Sequence, residues 1–215
     1  MPRIACLHTA ASNVLVFDAV LRDMGLAGVE LRHAVRADLL AAAERAAGLT
    51  PAIVQQTGDA LRALCADADA VLLTCSTLGP VAEATAPTAP VPVLRVDAAL
   101  AREAVRDGGK VVVLCAAETT VEPTRRLFEE AARATGADIV VRLVPGAWAM
   151  FKAGDRERYL SMVAQAADDA SRDGIARVAL AQASMAGAAK LSAAARPPLS
   201  SPMAGLRAAV DAATA

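Results

Sequence analysis

The chain of 215 residues has few aromatic side chains and no excess of basic ones. It contains one Trp, one Tyr and three Phe, and its 22 Lys and Arg residues are balanced by 23 Asp and Glu residues. Nucleic-acid binding calls for a basic patch, and single-stranded nucleic acid also calls for aromatic stacking platforms. We therefore expect no nucleic-acid partner and no polybasic contact with a membrane surface.

Local metal-ligand motifs are also missing. The chain has two histidines, and no pair among Cys6, Cys65, Cys75 and Cys115 has CxxC spacing. A structural zinc site takes about four ligands, most of them closely spaced in the sequence. We therefore predict no metal site and, as is usual in the cytoplasm, free thiols rather than disulfides.

Long apolar runs are absent, although 55% of the residues are hydrophobic. The longest stretches, such as 111–117, are far shorter than the roughly 20 residues of a membrane-spanning helix. Much of the hydrophobic content is alanine, which favours closely packed helices. The first residues follow a strand pattern rather than a charged and then apolar leader. These features predict a soluble protein of the cytoplasm that does not bind membranes.

Short β-branched runs alternate with alanine-rich helical stretches, which predicts an α/β fold with right-handed crossovers. Most of the strand candidates are continuous apolar runs, as is typical of parallel strands covered on both faces. Strands are predicted at 3–8, 28–34, 70–75, 92–96, 111–116, 138–144 and 177–182. Helices are predicted at about 12–22, 36–47, 51–66, 78–86, 97–107, 121–135, 155–173, 185–194 and 203–213.

The pattern restarts near residue 109, where Gly108 and Gly109 precede a second strand of the same type as the first. We predict two pseudosymmetric, Rossmann-like α/β domains with parallel sheets and a ligand cleft between them. The first domain is predicted at 1–100 and the second at 101–199. The last helix, at about 200–215, is predicted to pack back on the first domain.

Small polar residues follow several predicted strands, at the edge where open parallel sheets bind ligands. Backbone N–H groups and hydroxyls at such positions suit a carboxylate. The residues predicted to contact this ligand are His8, Thr9, Asn13, Ser76, Thr77, Thr119, Thr120, Gln182, Ala183 and Ser184. For Thr119 and Thr120 a helix N-cap is the alternative, and a lone histidine such as His8 is more often structural.

Cys75 is the main candidate for catalysis. It ends a predicted strand and precedes the helix predicted at 78–86. The positive end of a helix dipole favours the thiolate form of a nearby thiol, which would make Cys75 a base or nucleophile. The alternative is a buried apolar cysteine, and the position alone does not decide between the two.

Several segments together resemble the aspartate/glutamate/hydantoin racemase superfamily, to which arylmalonate decarboxylase and maleate isomerase are related. They are VLLTCST ending at Thr77, ETTVEPTRRLFEEAARATGADIV from Glu118, AWAMFKAGDRERY from Ala147, VALAQASMAG from Val178 and the closing LSSPMAGLRAAV. The resemblance implies an enzyme without metal or organic cofactor that acts at the carbon beside a carboxylate. It also implies one catalytic cysteine from each half, on opposite faces of the substrate.

Cys75 matches the first cysteine of this pattern, whereas Gln182 stands where the second is expected. Glutamine is neither an acid nor a base near neutral pH. The resemblance therefore predicts a racemase, isomerase or decarboxylase of amino-acid metabolism with Cys75 as base or nucleophile. The alternative is a non-catalytic protein that binds small carboxylates. Substrate, reaction type and oligomeric state, including a homo-oligomer, stay open.

Overall fold

The computed structural model describes residues 1–26, 28–172 and 177–215. These residues form two compact units, one of Met1–Ala99 with Pro202–Ala215 and the other of Leu100–Ser201. Each unit has one four-stranded parallel sheet with its own flanking helices. Within the described ranges, no helix is both long and apolar enough to cross a membrane.

The elements alternate along the chain as the apolar runs predict. The first unit contains β1 (Arg3–His8), α1 (Ser12–Asp23), β2 (Glu30–Val35), α2 (Ala37–Arg45), α3 (Pro51–Leu64), β3 (Ala70–Leu73), α4 (Gly79–Thr85), β4 (Val93–Arg95) and the start of α5 (Val96–Val105). The second contains β5 (Lys110–Cys115), α6 (Val121–Ala132), β6 (Asp138–Leu143), α7 (Ala147–Lys152), α8 (Arg156–Arg172), β7 (Arg177–Leu180) and β8 (Leu199–Ser200). Helix α9 (Ser201–Thr214) then returns to the first unit.

Both sheets have the same topology. The strand order is β2-β1-β3-β4 in the first unit and β6-β5-β7-β8 in the second, and every pair is parallel. The central strands are almost fully buried, which explains their continuous runs of Val, Leu and Ile. The α/β fold class with two parallel sheets is therefore confirmed.

Three elements differ from the sequence prediction. Strand β8 was not predicted, because it has only two residues and follows Pro197 and Pro198, which have no N–H to donate. Helix α7 was also missed, since it is six residues long and follows Gly146 in the left-handed conformation without a side-chain cap. The α-helix predicted at 185–194 is a 3₁₀ helix at Ala183–Lys190.

That 3₁₀ segment is rich in alanine and packs tightly at Gly187. A Cβ on Gly187 would lie 2.9 Å from Leu160 Cδ1, so the chain is close against α8 there. Residue 173, the predicted end of the helix at 155–173, lies outside the described residues.

Helix α9 packs against the first unit through a glycine, which generates a stability prediction. A Cβ on Gly205 would lie 2.6 Å from Val96 Cγ2 and 3.3 Å from Val96 Cα. We expect Gly205→Ala to lower the free energy of unfolding by about 1–3 kcal/mol, because the overpacked helix must shift. Urea denaturation measures this change.

Gly28→Ala is the matched control, since a Cβ on Gly28 meets nothing within 4 Å. This control should change the free energy of unfolding by less than about 0.5 kcal/mol. Equal stability of the two variants would contradict the close packing of α9 at Gly205.

Candidate functional site

Cys75 lies in the segment that joins β3 to α4, two residues after β3 ends at Leu73. The residue is 7% exposed and belongs to an apolar cluster that includes Leu78 and Val81. Helix α4 begins at Gly79, so one turn of chain separates the thiol from the helix. Cys75 thus lies just after a strand, as predicted for a reactive thiol. It is also buried, as expected of an apolar core cysteine.

Ser76 and Thr77 follow Cys75 and continue the polar strand end. Ser76 is half-buried and Thr77 is exposed. The carbonyl of Ser76 accepts a hydrogen bond from the Gly79 N–H at 3.0 Å, which closes a turn before α4. Ser76 and Thr77 thus follow Cys75 at the carboxyl edge of the first sheet, the edge at which open parallel sheets bind ligands.

Gln182 lies two residues after β7 ends at Leu180. Its Oε1 accepts a hydrogen bond from the Ala116 N–H at 2.6 Å and a longer one from the Ala117 N–H at 3.4 Å. The side chain therefore ties the segment after β7 to the end of β5. Two backbone donors that could otherwise bind a carboxylate are occupied by this carboxamide.

Cys75 and Gln182 occupy equivalent positions in the two units. The pairing of β1 with β3 ends at Leu73, and the pairing of β5 with β7 ends at Leu180. Each candidate residue is the second after its leucine. The register thus supports the inference that Gln182 stands at the counterpart of the Cys75 position.

Thr119 and Thr120 lie in a 3₁₀ turn, Glu118–Thr120, directly before α6. Thr119 is exposed, whereas the Thr120 hydroxyl donates to the Ala117 carbonyl at 2.7 Å. Thr120 precedes α6 but makes no side-chain cap hydrogen bond to it. The Thr120 hydroxyl thus closes a local turn and also lies against the Cys115 thiol.

Ser184 is held by a residue that the sequence did not single out. Its hydroxyl lies 2.8 Å from that of Tyr159, a fully buried side chain of α8. Burial raises the pKa of Tyr159 to about 12, so the phenol stays neutral. Ala183, next to Ser184, is buried at the start of the 3₁₀ helix. One feature of the sequence could have drawn attention to this residue: Tyr159 is the only tyrosine in the chain.

His8 is fully buried, and both of its ring nitrogens are engaged. Nδ1 lies 2.8 Å from Thr74 Oγ1, and Nε2 lies 2.8 Å from His33 Nδ1. Burial and then the neighbouring His33 lower the pKa of His8 to about 4. Thr9 and Asn13, which were also predicted as ligand contacts, follow His8 closely in the sequence and are buried as well. His8 is thus a neutral member of an internal network.

Comparison with known proteins identifies the family of this chain. A family model described as Asp/Glu/hydantoin racemase matches residues 9–213. The chain belongs to the Asp/Glu/hydantoin racemase family. A search of curated proteins finds no match.

Solved structures of racemases and an isomerase resemble this racemase-family chain. An aspartate racemase from Picrophilus torridus has a TM-score of 0.74 at 14% identity, over 100% of this chain and 95% of that one. An allantoin racemase from Klebsiella pneumoniae gives 0.70 at 15%, over 98% and 87%. A maleate isomerase from Pseudomonas putida S16, solved with maleate, gives 0.62 at 15%, over 96% and 90%. At these identities the likeness shows the fold.

The hydrogen bonds that the Gln182 carboxamide accepts lead to a prediction about the stability of this racemase-family chain. We expect Gln182→Ala to lower the free energy of unfolding by about 1–3 kcal/mol, because it leaves the buried Ala116 N–H without its acceptor. Gln165→Ala removes an exposed glutamine of α8 and should cost less than about 0.5 kcal/mol. Thermal and urea unfolding compare the variants, and equal losses would argue against the anchoring role of Gln182.

The four thiols generate a reactivity prediction. Burial raises the pKa of Cys6 to about 12 and also raises the pKa of Cys65 and Cys115 above the ordinary value. We therefore expect iodoacetamide to label Cys75 first near neutral pH. Mass-spectrometric mapping of briefly treated, folded protein tests this order, with urea-unfolded protein as the control for intrinsic reactivity. Earlier labelling of any other cysteine in the folded protein would rule out a special role for Cys75.

Proposed function

We propose that the protein is a cofactor-independent enzyme that acts at the carbon beside the carboxylate of a small amino acid or related acid. Cys75 is its base or nucleophile. The observation that carries this proposal is the position of Cys75 at the carboxyl edge of the first sheet, in a chain of the Asp/Glu/hydantoin racemase family. Open parallel sheets bind their ligands at this edge.

The chemistry needs a base for a carbon-bound proton and donors for the carboxylate. The Cys75 thiolate takes the proton, and the electron pair left on carbon is delocalised into the carboxylate, which becomes an enediolate. Hydrogen-bond donors aimed at the carboxylate oxygens stabilise that charge. Ser76 and Thr77 are the proposed donors, through their hydroxyls and backbone N–H groups. Return of the proton from Cys75 to the same face completes an exchange without inversion.

Inversion needs a second acid on the other face of the carbon. The counterpart of Cys75 in the second unit is Gln182, which has no proton of suitable acidity and whose Oε1 is already hydrogen-bonded to Ala116. We therefore propose an exchange or isomerisation that depends on one thiol. Maleate isomerisation through a nucleophilic Cys75 and decarboxylation are the other reactions open to a single cysteine.

Proton exchange in heavy water tests this function. Single enantiomers of aspartate, glutamate and related acids are incubated with the protein, and proton NMR follows the signal of the carbon beside the carboxylate. We expect one enantiomer of a substrate to gain deuterium with little inversion. Cys75→Ala should slow this exchange on the order of 100- to 10,000-fold, the usual contribution of one acid–base group. Cys65→Ala, at another buried thiol of the same unit, should leave the rate unchanged.

Rapid, symmetrical inversion by the unmodified protein would contradict the one-thiol proposal. Gln182→Cys restores the thiol that the family resemblance implies at this position, and we expect it to raise the fraction of product that is inverted. Exchange that persists in Cys75→Ala would remove Cys75 from the mechanism.

A non-catalytic carboxylate-binding protein is the second candidate function. Two observations favour it: Cys75 packs in an apolar cluster, and Gln182 is bonded to the backbone. Calorimetric titration separates the candidates, since a binder takes up a small carboxylate while NMR shows no exchange and iodoacetamide leaves Cys75 unlabelled.

A further inference from the structure

A thiol and two imidazoles lie together on one face of the first sheet. Side chains alternate along a strand, so Cys6 and His8 of β1 point to the same face. His33 of β2 pairs directly with Cys6 in the parallel register and shares that face. The cysteine sulfur and one nitrogen of each imidazole all lie within 4.8 Å of one another. Strand pairing thus brings His33 of β2 beside Cys6 and His8, which lie two residues apart on β1.

The two imidazoles have the surroundings of metal ligands. Nε2 of His8 and Nδ1 of His33 face each other at 2.8 Å. The remaining nitrogen of His33 lies 3.1 Å from the Asp18 carboxylate, and that of His8 lies 2.8 Å from Thr74 Oγ1. Metal-binding histidines characteristically place their second nitrogen on a carboxylate or another acceptor, which fixes the ring and its tautomer.

Thr74 selects the tautomer that a metal needs. Its hydroxyl donates to the Leu7 carbonyl at 3.1 Å, so its oxygen can accept the Nδ1–H of His8. The 2.8 Å contact between His8 Nε2 and His33 Nδ1 holds one proton, which His33 donates to His8. On metal binding that proton leaves Nδ1, and Asp18 accepts a hydrogen bond from the Nε2–H of His33.

The fold itself does not require polar groups here. By the register of the central strands, the second-unit counterparts of Cys6 and His33 are Val113 and Val141, which pair with each other. Burial of polar groups costs free energy unless they are well paired. The first unit therefore carries Cys6 and His33 where the second unit has two valines, and His8 where the second unit has Cys115.

We propose that Cys6, His8 and His33 form a binding site for a divalent cation of the zinc type. One thiolate and two imidazoles are a ligand set that zinc and cobalt favour, with a fourth, open position for water. Asp18 and Thr74 orient the two rings. The ion has access at His33, whose side chain is 15% exposed, whereas Cys6 and His8 are fully buried.

Binding requires the three ligand atoms, which lie within 4.8 Å of one another, to close on the ion, and it balances charge. The two facing nitrogens separate from 2.8 Å to roughly 3.3 Å, the distance between ligands about 2.0–2.1 Å from a tetrahedral ion. The Cys6 thiol loses its proton to solvent on binding, as metal coordination demands. The thiolate and the Asp18 carboxylate then neutralise the two positive charges of the ion in a largely buried site.

Cobalt(II) spectroscopy on the full chain tests the site. Protein freed of metal with a chelator is titrated with Co²⁺, and we expect saturation at one equivalent with a thiolate-to-cobalt charge-transfer band in the near ultraviolet. Zn²⁺ should then displace the cobalt and abolish the band. Cys6→Ser should lose the band, whereas Cys115→Ser should keep it. Cys115 is the matched control because it is equally buried at the end of the central strand of the second sheet.

Asp18→Asn and His33→Gln provide a second test in variants that change less buried positions. We expect Asp18→Asn to weaken cobalt affinity about 10- to 100-fold, the usual effect of losing an outer-shell partner. His33→Gln should weaken it further. Far-UV circular dichroism verifies that each variant is folded. Absence of the band in folded, unmodified protein, its persistence in Cys6→Ser, or unchanged affinity in both Asp18→Asn and His33→Gln would overturn the proposal.

Discussion

Parallel strand pairing determines where polar chemistry can lie in each unit. Parallel neighbours cannot be joined by tight turns, so each strand is followed by a crossover and the carboxyl ends meet at one edge. The central strands β1 and β5 are covered on both faces and are apolar almost to their ends. Outside the cluster of Cys6, His8 and His33, the thiol and carboxamide groups of interest lie where the strands stop, at Cys75 in the first sheet and Gln182 in the second.

The two units keep one topology but differ in the groups that it positions. The same register that places Cys75 after β3 places Gln182 after β7. One group is a thiol that can exchange a proton, whereas the other is a carboxamide hydrogen-bonded to Ala116. The central-strand face also differs, since Cys6 and His33 face each other where the second unit has Val113 and Val141. Each unit thus has its own polar groups on a shared backbone plan.

The sequence predicts the fold well because the central strands are continuous apolar runs. It misses α7 and β8, which are too short to show periodicity. The order of predicted strands and helices is enough to identify a strand-end residue such as Cys75. It does not give the direction of a side chain, and Gln182 is hydrogen-bonded to the backbone at the end of β5. The histidine pair is hidden because its members are 25 residues apart and meet only through β1–β2 pairing. Such a cluster has no local CxxC-type spacing in the sequence.

The proposed function requires the carboxyl edge of the first sheet, beside Cys75, to bind a small carboxylate. Titration of ¹⁵N-labelled protein with aspartate, followed by backbone amide NMR, tests it most directly, because an N–H that donates to a carboxylate shifts strongly. We expect saturable shifts at the amides of Ser76 and Thr77, with little change along the outer surface of α6. Shifts that spare residues 74–79 while other parts of the chain respond would contradict it.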